Sequence, residues 1–361
     1  ANAAERASNT HRSVTKELTS KGVNYGQITV RANGTVDTSE VEGVDANLRV
    51  KPFFAHGGTI SIREFIVGAL NDEMGLQAVD PDLSLAHSGG RVETPAGMIL
   101  DGATDQISGP MVASAAEDED GDGIANEIPS SVVDHMEFYL LNYFKAGTHR
   151  QTQATRAGLE TFKEVGCAVC HVPNMQINRD RRVADVETVY DPRHGNFNSL
   201  FATATPLFSV VSDNSGYPEW KRPMARRFMV ENIFTDFKRH DLGPNFYERN
   251  YDGTYQTLFM TTPLWGVGST PPYGHDGRSV NLLDVILRHG GEAQASRNRF
   301  AAKNDKKQEE LIEYLSSMIL FPPDDTASNL DPGDRSTPGF PQHGQGSIKL
   351  GVLFNDPNDP E

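Results

Sequence analysis

Three residues in the stretch VGCAVCHVP, from Val165 to Pro173, can do chemistry together: Cys167, Cys170 and His171. They form C-x-x-C-H, the attachment signature of a c-type haem. Each thiol adds across one vinyl group of the porphyrin, and the adjacent imidazole points at the iron as proximal ligand. These are the chain's 2 cysteines among 361 residues. A redox dithiol, a structural disulfide and half a zinc site are the rival readings. A thioredoxin-like dithiol needs a βαβ setting, and no such pattern surrounds the motif. A zinc site needs four ligands at tight spacing, and no further cysteine is available. Haem attachment is the expectation, and covalent haem c places a protein outside the bacterial cytoplasm, usually in the periplasm.

A c-type haem also needs a second axial ligand or an open face. His194, His240, Met260, His275, His289 and Met318 are the downstream candidates. On the helix expected after Ser279, Leu282, Val285, Ile286 and His289 follow the i, i+3, i+4, i+7 spacing of one face, so His289 lies on the apolar stripe. A buried imidazole needs a partner. Iron is one; the negative end of the helix dipole is another, and periodicity alone does not choose between them.

A second constellation is acidic. In DEDGDGIANE, Asp118, Asp120 and Asp122 occupy positions one, three and five of an EF-hand-like loop, with Gly123 at the turn and Ile124 and Asn126 following. Pro129 stands where a bidentate Glu belongs, so Glu127 or Asp134 would substitute. The loop 118–129 suits a structural Ca²⁺; the competing reading is a solvated acidic loop before a helix N-terminus.

Elements must position these groups. Ser61 and Glu64 form a capping-box pair, Ile62, Phe65, Ile66, Ala69 and Leu70 an apolar stripe, and Gly75 a C-terminal stop. SSVVDHMEFYLLNYFKAG predicts a second helix and residues 149–166 a third, which carries Phe162 and Val165 on its apolar side up to the cysteines. SVNLLDVILRHGG predicts a short helix capped by Ser279 and ended by Gly290. NDKKQEELIEYLSSMILF predicts a last helix with Leu311, Ile312, Leu315, Met318 and Ile319 inward. Residues 1–50 are weakly patterned, 80–130 read as a loop rich in Gly, Pro and Asp, and 172–255 read as long loops with short helices. Strands are few and no internal repeat is evident. The expected fold is mainly α: an N-terminal helical and loop region over 1–148, a cytochrome c-like haem domain over 149–323, and an extended tail over 324–361.

Composition narrows the function. The formal charge is −16, which argues against a nucleic-acid binder; it permits docking to a basic partner or only confers solubility. No apolar run is long enough to span a bilayer. The sequence opens ANAAERASN without Met, as expected of a processed product from which a signal or pro-region has been removed.

TTPLWGVGSTPPYGHDGRSVNLLDVILRHGGEA, with FTDFKRHDLGP before it, resembles the C-terminal haem domain of the bacterial di-haem cytochrome c peroxidase superfamily, in the branch of di-haem oxidoreductases of peroxidase or thiol-oxidoreductase type. The resemblance covers residues 150–323 well and 40–147 more loosely. It implies that His289 stands where the peroxidases have the axial methionine and ligates iron opposite His171, with His240 as the runner-up. Bis-histidine ligation lowers a haem potential relative to His/Met. His275, Asp276 and Arg278 would then lie near the haem edge, Arg278 facing a propionate, and Trp265 would pack on the porphyrin or along an electron path, or simply fill the core. The family carries two C-x-x-C-H motifs and this sequence carries one, so a second haem would come from another chain or a cleaved N-terminal fragment, or else be missing from a mono-haem descendant. His56 reads as a surface histidine in a Gly-rich turn.

Three functions compete on this reading. The first is a c-type cytochrome that exchanges electrons with a redox partner protein. The second is a peroxidase-like enzyme with an open haem and His240 or His275 as acid/base group. The third is a structural subunit of a cytochrome assembly.

Overall fold

The computed structural model describes residues 2–95, 98–103, 105–110, 123, 127–142, 145–148, 151–177, 205–206, 228–230 and 232–321. Its helices are α1 (Asn2–Thr10), α2 (Ile62–Met74), α3 (Pro81–His87), α4 (Ser130–Asn142), α5 (Gln153–Glu164), α6 (Leu282–Arg288), α7 (Gln294–Ala301) and α8 (Asp305–Ser316). No helix among the described residues is long and apolar enough to cross a membrane.

The expected mainly-α class is not what forms. Helix makes up 36% and strand 19% of the described residues, with several β-sheets. Most of these strands are two to four residues long, too short for a period-two pattern to register in sequence. The longest pair, Val14–Ser20 with Val23–Val30, lies in the segment that read as weakly patterned. Its turn residues Lys21 and Gly22 both have positive φ, 52° and 87°, the backbone of a two-residue hairpin turn whose twist matches the strands. The expected last helix stops at Ser316, and Met318–Phe321 continues as a strand antiparallel to Lys145–Thr148. Met318 and Ile319 are buried there as part of a sheet.

Local chemistry explains the helix ends. Ser61 and Glu64 close a capping box on α2, and Gly75 terminates it at φ 68°. The cap of α6 is Asn281, not Ser279: the Asn281 side chain accepts the Asp284 N–H at 2.8 Å. Ser279 instead pairs its backbone with Tyr273 and accepts Arg288 Nη1 at 3.0 Å on its hydroxyl.

That turn has a counterpart, which overturns the expectation of no internal repeat. Phe53 bridges Thr59 as Tyr273 bridges Ser279. Phe54 (φ 61°) and Gly57 (φ 69°) match Gly274 (φ 84°) and Gly277 (φ 63°) in place and conformation. Ser61 caps α2 through the Glu64 N–H as Asn281 caps α6 through the Asp284 N–H. Pro52-Phe53 and Pro272-Tyr273 open the two copies. Apart from Pro52/Pro272, Gly57/Gly277 and Ile66/Ile286, the copies share residue character rather than identity, so the sequence alone shows the pattern weakly.

Three buried clusters hold these elements. One surrounds α2 and α3, with Ile66, Leu70, Leu83, Leu100 and Val133. Within the same region Arg63, 1% exposed, is enclosed by carboxylates: Asp80 Oδ2 at 2.7 Å, Asp134 Oδ1 at 2.8 Å, Glu137 Oε2 at 3.0 Å and Asp82 Oδ2 at 3.8 Å. A second cluster joins Val23 and Tyr25 of the hairpin to Met175, Ile233 and Phe237. The third packs Phe162 and Val165 from the end of α5 against Phe234, Leu282, Phe300, Leu311, Tyr314 and Leu315; burying each large side chain contributes about 1.5–3 kcal/mol.

α5 and α8 meet at Gly158. A Cβ there would lie 2.0 Å from the Glu310 carbonyl oxygen and 2.7 Å from the Tyr314 Cβ, so the helices touch only because the side chain is missing. Gly158→Val forces them apart at an overpacking cost of about 1–3 kcal/mol. Thermal unfolding followed by circular dichroism should show Tm lower by several degrees; an unchanged Tm would disprove the contact.

Candidate functional site: two imidazoles and two thiols on a shared core

α5 delivers the motif. Phe162 and Val165 are buried, which fixes the last turn of α5 on the core. Gly166 then turns at φ 87°, and Cys167–Val169 follow as one turn of 3₁₀-helix. α7 braces this entry: Arg299 Nε donates to the Val165 carbonyl at 2.9 Å, and Ser296 Oγ to the Gly166 carbonyl at 3.2 Å. The His171 N–H closes onto the Cys167 carbonyl at 3.0 Å. Both cysteines are half-buried and free. Burial pushes the Cys167 thiol up to about 11, so it is a protonated thiol at neutral pH.

The imidazole of His171 is aimed by main chain. Its Nδ1 lies 3.0 Å from the Phe234 carbonyl. A carbonyl only accepts, so the proton sits on Nδ1 and the lone pair on Nε2. Phe234 is fully buried and has φ 53°, a conformation costly for an aromatic residue. It is held by its core neighbours Phe162 (ring centroids 5.3 Å apart) and Tyr314 (6.1 Å).

His289 repeats this arrangement from α6. Its Nδ1 lies 2.6 Å from the Val285 carbonyl one turn back, which again leaves Nε2 as the acceptor. Leu282 of the expected stripe is buried, and Val285, Ile286 and His289 are half-buried. Burial lowers the His171 pKa to about 4, and proximity to His289 contributes in the same direction. His289 is also lowered, by burial and then by Arg288. The structure thus brings together two neutral imidazoles, each with Nδ1 tied to a carbonyl and Nε2 unprotonated, beside two free thiols. This donor set fits a covalently attached haem. Neutral imidazole nitrogens are what iron takes as axial ligands, and a hydrogen bond on the other ring nitrogen fixes the tautomer.

The remaining candidates are placed otherwise. His240 is buried, with Nε2 2.9 Å from Asp236 Oδ2 and Nδ1 2.7 Å from Glu292 Oε2. Against the opposing effect of burial, Asp236, Cys170 and Glu292 raise its pKa to about 11. An imidazolium with both nitrogens engaged has no lone pair for iron. Ligand atoms of Cys170, Asp236 and His240 lie within 4.8 Å of one another. The His275 ring stacks on Phe259 at 3.9 Å, with Nε2 3.4 Å from Glu248 Oε1. Phe246 lies between His275 and His289, 6.0 and 5.2 Å from their rings. Asp276 receives Arg288 Nη2 at 2.6 Å and Arg278 Nε at 2.6 Å, so Arg278 already has a carboxylate partner. Trp265 packs on the cluster of Val23, Tyr25, Met175, Ile233 and Phe237. Met318 is buried in its strand, Met260 is half-buried, and His56 is exposed. His194 lies outside the described residues.

Of the acidic loop, Asp118, Asp120, Asp122, Ile124 and Asn126 lie outside the described residues. Gly123 has φ 93°, as a loop turn requires. Glu127 Oε2 accepts the Gln77 N–H at 2.7 Å, and Asp134 is engaged by Arg63.

The orienting carbonyls of Phe234 and Val285 escaped sequence reasoning because any residue supplies a carbonyl. The pairing of His240 with Asp236 was open to it, since an i, i+4 acid–histidine pair stands in TDFKRHD.

No curated protein and no solved structure matches the chain. A family model does, over residues 179–318, beginning after the C-x-x-C-H motif; its description is "Di-haem oxidoreductase, putative peroxidase". Over that stretch the chain is similar to the di-haem oxidoreductase family, the branch named from its sequence motifs.

Proposed function

We propose that this chain is the electron-transfer unit of a di-haem oxidoreductase system: an exported c-type cytochrome whose Cys167 and Cys170 hold one haem covalently and whose His171 and His289 close it from both sides. The observation that carries this reading is the matched pair of imidazoles, each with Nδ1 on a backbone carbonyl and Nε2 unprotonated. A haem held there supplies a one-electron Fe(III)/Fe(II) couple, set lower by two imidazoles than by an imidazole and a thioether. The chain supplies orientation and exclusion of water. The carbonyls of Phe234 and Val285 lock both tautomers. The core of Phe162, Phe234, Leu282 and Tyr314 gives the ligands a rigid, apolar base. With both His171 and His289 as ligands, a haem held there would suit electron exchange with a redox partner rather than direct reaction with peroxide. His240 fits the acid/base role of an open-haem enzyme poorly, since two carboxylates hold it.

Low-temperature EPR of the oxidised, purified chain tests this. A low-spin ferric signal of bis-imidazole type is expected. A dominant high-spin signal would rule out His289 as ligand and redirect attention to peroxidase turnover.

A further inference from the structure

The two axial candidates stand on segments far apart in sequence, so something must set their separation. Two contacts converge on one residue. His240 joins Asp236 at 2.9 Å and Glu292 at 2.7 Å. Asp236 lies two residues beyond Phe234, whose carbonyl aims His171. Glu292 lies three residues beyond His289 and uses its other oxygen to accept the Asp241 N–H at 2.9 Å. The backbones dock as well: the Gly290 N–H donates to the Leu242 carbonyl at 2.9 Å. A Cβ on Gly291 would sit 2.2 Å from the Asp241 carbonyl oxygen and 2.8 Å from the Gly243 nitrogen. The turn after His289 is therefore pressed onto Asp241–Gly243 with no room for a side chain, and His240 pins both sides.

We propose that His240 is a positioning residue for the axial pair: by bridging Asp236 and Glu292 it holds the turn that follows His289 at a fixed distance from the segment that aims His171. The bridge is stiff because a buried histidine between two carboxylates makes charge-assisted hydrogen bonds on both ring nitrogens. This role rests on the haem ligation proposed above. It differs from ligation itself, since both nitrogens of His240 are already engaged.

The test uses the haem-loaded chain and its ferric spin state. In His240→Leu the bridge is gone while His171 and His289 remain. The ratio of high-spin to low-spin haem should rise about tenfold or more, as expected for the loss of a hydrogen bond to a charged group, and added imidazole should restore the low-spin form. Glu292→Gln, which weakens one arm and keeps the side-chain shape, should move the ratio the same way by less, and it serves if His240→Leu fails to fold. Asp134→Asn, in the distant Arg63 cluster, should leave the spectrum unchanged at a comparable loss of Tm. The positioning role is overturned if the folded variants stay as low-spin as the parent, or if Asp134→Asn opens the haem equally. A parent chain with no low-spin signal overturns the ligation reading instead, which keeps the two failures distinct.

Discussion

A chain in which Cys167 and Cys170 are both serine will carry no haem that survives denaturing extraction. These are the 2 cysteines of the sequence, so no other thiol can form the thioether bonds. The change is small in shape, and the motif is held by groups it does not touch: Arg299 and Ser296 on the carbonyls before it, and the Phe234 carbonyl on His171. The far-ultraviolet circular dichroism spectrum should therefore keep its form while haem staining on a denaturing gel falls from full intensity to background. Cys170→Ser alone should leave one thioether, formed by Cys167. Covalent haem in the double variant, or none in the parent, would refute the proposed attachment, and the parent result would remove the electron-transfer role with it.

Arg63→Met should destabilise the protein by about 3–5 kcal/mol, because removing one partner of a buried ion pair leaves the other charges uncompensated. Asp80 and Glu137 are fully buried beside Arg63, with Asp134 and Asp82 at the margin. Chemical denaturation at neutral pH is the measurement; a loss below 1 kcal/mol would mean that the carboxylates find other partners. The cluster also has a pH signature. Burial raises the Glu137 pKa from 4.5 to about 7. A raised pKa means that the folded state holds the proton more tightly. That stabilisation is complete below about pH 4.5 and is lost as pH rises through 7. Relative to Glu137→Gln, whose side chain does not titrate, the parent should lose stability between about pH 4.5 and 7 and level off above that. A parallel pair of curves would show that Glu137 titrates normally.

Much of the scaffold was legible where a local rule suffices. Ser61, Glu64 and Gly75 mark α2 because caps satisfy backbone groups within a few residues. The α6 cap was misplaced by two residues because Ser279 is also a good capping type, and only its bridge to Tyr273 shows that it is occupied elsewhere. The fold class was misjudged for a different reason: strands such as Arg239–Asp241 and Leu258–Met260 are made by pairing across the chain, which no window of neighbouring residues contains. At the site, residue types and spacing nominated His171, and the family resemblance singled out His289 among the downstream candidates. Their protonation states were hidden, because these follow from burial and from carbonyls that have no sequence identity. His240 looked like a spare ligand until Glu292, fifty-two residues away, appeared on its second nitrogen.

The paired turn and helix units bear on how the molecule is assembled. In the first copy the helix runs on to Met74, and Ala69 takes the place that His289 has in the second. The first copy therefore builds the bridge, the two left-handed residues and the cap with no ligand at all. The turn and cap that lead to His289 are thus made by local hydrogen bonds that do not depend on which side chain stands at that place.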